Sequence, residues 1–126
     1  MGSLDQSSSN SEIFDLRSLL ARVGGDVELL REMIGIFAAE YPPILAQLQA
    51  AIESSDPARV ERASHKLKGS LVQFSAHTAA ETVGRLEAMG KNSSLQGAGV
   101  IAQRLRGEVD ELLQAMNLVV SQRVTE

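Results

Sequence analysis

Along most of this 126-residue chain, apolar positions recur at alternating three- and four-residue intervals, the stripe of an amphipathic helix. The longest run is Val27, Leu30, Ile34, Phe37, Tyr41, Ile44, Leu48 and Ile52. Pro42-Pro43 falls inside it and removes two backbone donors. The stripe keeps its phase across the prolines, so the pattern predicts one kinked helix, with two collinear helices as the other solution. Before this run, Asp15 is placed to cap a short helix, with Phe14 and Leu19 as a hydrophobic staple. Gly24-Gly25 ends that helix, and Asp26 caps the long one. After it, Ser54-Ser55-Asp56-Pro57 stops and restarts the chain, with Asp56 as N-cap and Pro57 at the first helical position.

A third helix carries its stripe at Val60, Ala63, Leu67, Leu71 and Phe74. Ser75 is placed to cap a fourth, striped at Ala79, Val83 and Leu86 and closing near Gly90. Asn92-Ser93-Ser94 makes the next turn. A last helix is expected from Leu95 to Gln122, with apolar residues at 95, 98, 102, 105, 109, 112, 116 and 119. No segment alternates with period two. The pattern predicts an all-α fold: an antiparallel four-helix bundle over residues 12–122, with a short extra N-terminal helix. Residues 1–11 are Ser-rich and aperiodic, the reading of a linker or cloning remnant, and residues 123–126 read as a tail.

Composition narrows the function classes. The chain has no cysteine, which excludes a disulfide framework, a thiolate metal site and a cysteine nucleophile. Leucine and alanine dominate and only four residues are aromatic, in keeping with helices. The net charge of −4 argues against general nucleic-acid binding. No apolar run approaches the ~20 residues that span a bilayer, and the N-terminus lacks a secretion signal. A monomeric, cytoplasmic protein without membrane insertion is expected.

Chemistry must then come from the outside of the bundle. His65 lies two residues from Leu67, a rotation of about 200°, so it faces away from the core. Lys68 and Gly69, at i+3 and i+4, are its neighbours on that face. Helical side chains lean toward the N-terminus, so a bulky residue at 69 would cover the imidazole. Glycine there costs about 1 kcal/mol of helix stability relative to alanine. An exposed histidine and a mid-helix glycine are each commonplace. Together with Arg59, Arg62, Lys66 and Lys68, set against Asp56 and Glu61, they make a basic strip on an acidic protein. Such a strip suits a phosphoryl group or an acidic partner.

The segment Ala63 to Ala76, ASHKLKGSLVQFSA, resembles the signature of histidine-containing phosphotransfer (HPt) domains of multistep phosphorelays. His65, Leu67, Lys68, Gly69 and Ala76 match that signature. Gly24-Gly25-Asp26, the region of Phe37, and Arg85-Leu86-Glu87 extend the likeness over about residues 12–122. Ser75 departs from the glycine usual ten residues after the histidine, which bears on the turn.

The resemblance implies a phosphocarrier and not an enzyme with its own catalytic site. His65 would accept a phosphoryl group from the aspartyl phosphate of one receiver domain and pass it to the aspartate of another. The receivers would belong to a hybrid sensor kinase, a response regulator or both, and the chain could itself be the C-terminal domain of a membrane-bound hybrid kinase. Lys68 would supply positive charge to the transferring oxygens, and Gly69 access. Phosphoryl transfer is mainly positioning and charge stabilisation, and an ordinary imidazole, with a pKa near 6.5, is largely neutral and nucleophilic at about pH 7. The chain would hold no metal or cofactor of its own, the Mg²⁺ coming from the receiver. The family often has Gln or Glu where Glu87 stands. His65 lies ten residues before the turn at Ser75 and Glu87 twelve after it, about 15 and 18 Å of helix, so Glu87 is the candidate to orient the ring. Arg62, Lys66, Val72, Gln73 and Lys91 are the expected partner-binding residues, and His77 reads as a surface residue.

Three competing readings differ in testable features. A histidine-kinase dimerisation domain usually has an acidic residue after its histidine and a proline shortly beyond, whereas Lys66 follows His65 and no proline follows Pro57. A metal- or haem-binding bundle needs several inward ligands, and Glu61 with His65 is an isolated pair. An interaction module that binds receivers through an inert histidine remains the main alternative.

Overall fold

A computed structural model describes residues 13–125 as an all-helical chain. Its helices are α1 (Leu16–Arg22), α2 (Val27–Glu53), α3 (Pro57–Gln73), α4 (His77–Lys91) and α5 (Ala98–Thr125). Helix α2 packs on α3 and α5, and α4 packs on the same two. The four long helices therefore form a closed ring of neighbours, and their short connections make consecutive helices antiparallel. The expected lead-in at 1–11 lies outside the described residues. Among the described residues, no helix is long and apolar enough to cross a membrane.

The aspartate caps act as the sequence predicts. Asp15, Asp26 and Asp56 accept hydrogen bonds from the backbone N–H groups of Ser18, Leu29 and Arg59, each satisfying a donor that the first helical turn leaves free. Phe14 and Leu19 are both buried. Leucine is the commonest core residue and every helix supplies one, Leu19, Leu48, Leu67, Leu86 and Leu112 among them. Helix α2 runs unbroken through Pro42 and Pro43, which settles the choice for one helix over two. The prolines and the Ala38 and Ala39 carbonyls they deprive of a donor all belong to exposed residues, so water can take the donor's place.

Three expectations need correction. Ser75 does not cap α4. It follows the end of α3 with φ +55°, while Ala76 occupies the N-cap position without a side-chain bond. The N–H of Ser75 bonds to the Val72 carbonyl and that of Ala76 to the Leu71 carbonyl, the paired closure of a Schellman turn. Glycine is usual at such a position because it alone adopts positive φ without strain. Serine takes it here, as Ser55 and Ser93 do after α2 and α4. The second correction concerns α5, which starts at Ala98 and continues to Thr125. Leu95 belongs to the preceding turn, and three of the four tail residues are helical. Third, the buried stripe drifts, as a 3.6-residue period must against a regular three–four count. Leu45, Ala51 and Val120 are buried where Val27, Ile52 and Val119 are only half-buried.

The corners on either side of α3 are minimal. Asp56 closes α2 and caps α3, and Ala76 closes α3 and stands at the N-cap of α4. At the other end of that hairpin, a Cβ on Gly90 would lie 2.7 Å from both Glu61 N and Pro57 O. Glycine is therefore what lets the end of α4 touch the backbone of the first turn of α3. The α3–α4 hairpin is pinned at both ends, and the candidate site lies between them.

Candidate functional site

Val60, Ala63, Leu67 and Leu71 draw one face of α3 into the core, which turns His65 outward with 74% of its side chain exposed. Across the hairpin, Leu86 is fully buried and Glu87 is 95% buried with it. A carboxylate so removed from water needs partners, and it has two. Glu87 Oε2 lies 2.6 Å from His65 Nδ1, and Glu87 Oε1 accepts a hydrogen bond from Lys68 Nζ at 2.7 Å. The stem of Lys68 reaches Glu87 past Gly84, where even a Cβ would only touch its Cδ at 3.9 Å.

The electrostatics of this triad are one-sided. The hydrogen bond from the Lys68 ammonium, supplemented by that from His65, holds Glu87 below the ordinary glutamate value of 4.5 although burial pushes it upward. Glu87 is thus ionised at neutral pH and can only accept. The proton shared with His65 must then sit on Nδ1, which assigns the tautomer from the hydrogen-bond network. In the neutral ring Nε2 then keeps its lone pair, on a side chain that is largely exposed. One N–H of the Lys68 ammonium is committed to Glu87, leaving two more.

An open depression of about 730 Å³ adjoins the ring, lined by Ala58, Glu61, Arg62, His65, Lys66, Glu87 and Lys91. The structure thus brings Arg62, Lys66 and Lys91 to His65. Val72 and Gln73 are exposed but do not line this depression. They lie near the far end of α3, where their carbonyls accept bonds from Arg22 Nη1 at 3.1 and 3.0 Å. Gln73 also borders a small groove with Met33 and Ile36 of α2, and Ile36 is 58% exposed. A Cβ on Gly69 would meet nothing within 4 Å, so only a longer side chain there could reach toward the imidazole. His77 is the exposed first residue of α4.

Two features escaped the sequence reading. The pairing of Lys68 with Glu87 depends on where a four-carbon stem lies, which spacing does not determine. Ala58 of the depression stands seven residues before His65, so its helical spacing alone placed it on that face. Among the described residues, no cluster of His, Asp and Glu is suited to hold a metal ion.

Comparison with known families gives a match to the Hpt domain over residues 32–115, two thirds of the chain and narrower than the likeness noted above. Helix α1 lies outside it. No curated protein and no solved structure matches. The helical bundle agrees with that match, and the chain belongs to the Hpt domain family, the phosphotransfer modules of two-component phosphorelays.

Proposed function

We propose that His65 is the phosphoacceptor, taking a phosphoryl group from a receiver domain's aspartyl phosphate and giving it to an aspartate on another receiver. The observation that carries this reading is the 2.6 Å contact between His65 Nδ1 and an ionised, buried Glu87, which leaves Nε2 as the free nucleophile. In the forward step the Nε2 lone pair forms the N–P bond while the bond between phosphorus and the acyl oxygen breaks. Its electron pair leaves with the receiver's carboxylate. The ring becomes an imidazolium carrying the phosphoryl group, and Glu87 stabilises that positive charge without any proton having to move. Transfer to the second receiver reverses these events, so the charge pairing that helps phosphoryl entry is released on exit.

The remaining residues take roles around that step. Lys68 fixes Glu87 and offers its other two N–H groups to the phosphoryl oxygens. Gly69 keeps the approach to the ring clear. Arg62, Lys66 and Lys91 attract the acidic phosphorylation pocket of a receiver, whose own Mg²⁺ serves the transfer. Val72 and Gln73 provide docking contacts farther along α3.

The test is a mixing experiment. A panel of phosphorylated receiver domains is added to the protein and to His65→Gln, and acid-labile, base-stable label is followed onto the chain. Label is expected on the wild type alone. His65→Gln is expected to keep the circular dichroism spectrum and Tm of the wild type, because the imidazole is mostly exposed. Equal labelling of both proteins would move the phosphoacceptor elsewhere. Binding to a receiver without label would make the chain an interaction module.

A further inference from the structure

Three cations of the fold are neutralised where they stand. Lys68 is bonded to Glu87, Arg31 to Glu28 and Arg104 to Glu108. Arg62, Lys66 and Lys91 have no carboxylate partner among the described residues, yet they converge on one depression with the nucleophile. Glu61 is the only carboxylate there besides Glu87, whose charge Lys68 already offsets. Two positive charges are left uncompensated, which equals the charge of a phosphoryl dianion. Like charges gathered without a counter-charge repel one another, and a bound anion relieves that cost. The depression is open, so a small anion can enter it without a protein partner.

We infer that the cleft formed by Arg62, Lys66, Lys91 and His65 is itself a phosphodonor site, at which small phosphoryl donors phosphorylate His65 in the absence of any receiver. This rests on the reading of His65 as phosphoacceptor and adds an activity to it. The shared ligand chemistry is a dianionic phosphoryl group on a good leaving group, and acyl phosphates and phosphoramidate both carry it. An acyl phosphate contains the same mixed-anhydride bond as an aspartyl phosphate. With acetyl phosphate, the Nε2 lone pair forms the N–P bond, the P–O bond to the acetyl group breaks, and the electron pair leaves as acetate. With phosphoramidate the P–N bond breaks instead, and ammonia leaves with the protons it already carries. In both cases the Nδ1 proton stays on the ring, facing Glu87. The cationic side chains neutralise the phosphoryl oxygens, the part that positioning and charge play in such transfers.

The experiment incubates the full chain with acetyl phosphate or with phosphoramidate, in EDTA and without receiver, and follows the gain of one phosphoryl group by intact mass spectrometry. N-acetylhistidine at equal concentration gives the rate of an unassisted imidazole. Labelling of the protein is expected to saturate with at least one donor and to exceed the reference by about tenfold or more. Arg62→Ala and Lys91→Ala are each expected to lower the rate severalfold with unchanged circular dichroism, and sulfate to compete. A rate linear in donor and equal to that of N-acetylhistidine would overturn the inference, as would a rate untouched by both substitutions or abolished by EDTA. A parallel arm with phosphorylated receivers separates the failures. Label from receivers alone sinks only the small-donor site, whereas no label from either source sinks the phosphoacceptor reading as well. The two donor arms show which leaving group the cleft accepts.

Discussion

Glu87→Ala removes the single group that holds both His65 and Lys68. In the wild type, one carboxylate receives a 2.6 Å contact from the ring and a 2.7 Å bond from the ammonium, both charge-assisted. Hydrogen bonds to charged groups contribute about 1.5–3 kcal/mol each. The ring is largely exposed, so water replaces part of its bond, and the His65 contact falls around and somewhat below the low end of that range. A loss of about 1–2 kcal/mol in transition-state stabilisation corresponds to a roughly 5- to 30-fold slower transfer. Two effects combine in that figure: Nδ1 no longer holds the proton that leaves Nε2 free, and the developing imidazolium loses its counter-charge. The assay is the single-turnover rate from a phosphorylated receiver to the protein, measured at saturating protein so that docking does not contribute. Nitrogen-15 NMR of the imidazole reports the tautomer in the same samples, and a shift of the proton toward Nε2 is expected in the alanine variant. Glu87→Gln keeps an acceptor but no charge, so it is expected to recover the tautomer more fully than the rate. A folded Glu87→Ala protein that transfers within about twofold of the wild-type rate would refute the reasoning.

Four further outcomes follow from the same structure. Glu87 titrates below its ordinary value of 4.5 in the folded protein because Lys68 and His65 favour its charged form. Its contribution to stability is therefore complete above about pH 4.5 and lost as pH falls through the lower folded value, so acid denaturation curves of wild type and Glu87→Gln are expected to converge below that window. Gly90→Ala drives a methyl group into the backbone at Glu61 and Pro57, and a loss of about 2–3 kcal/mol is expected by urea unfolding. Gly69→Ala is expected to transfer at near wild-type rate, since a Cβ there meets nothing. Gly69→Gln is expected to slow transfer by crowding the ring, and wild-type kinetics in that variant would remove the access role.

Much of this architecture was legible because helices write themselves in a period and aspartates mark their starts. The stripes of α2 to α4, the three aspartate caps and the outward placement of His65 all follow from local rules. The proximity of His65 and Glu87 was legible too, because equal distances from a tight corner put two residues at equal height. What was not legible depends on more than one helix. Serine at 75 suggests a cap by composition, yet the corner demands a positive φ from that residue, and the close packing of two helices overrides the preference. The groove that Gln73 forms with Met33 and Ile36 exists only once α2 and α3 are side by side. Why the hydroxyl of buried Ser64, next to the histidine, lacks a hydrogen-bond partner is not explained by anything around it.

The three-residue corner at Phe74, Ser75 and Ala76 has a consequence for how this chain tolerates changes in length. Connections between helices usually absorb insertions at little cost. Here no residue serves only as linker, since the last closing bond of α3 comes from the residue at the N-cap of α4. One added residue on the α4 side would turn that helix by about 100° and shift it by about 1.5 Å, swinging Glu87 away from His65 and Gly90 away from the backbone it touches. The connection over residues 92–97 is under no such constraint, because α5 contributes nothing to the triad. That second connection can thus vary in length without disturbing the triad, while the α3–α4 corner is fixed to the residue.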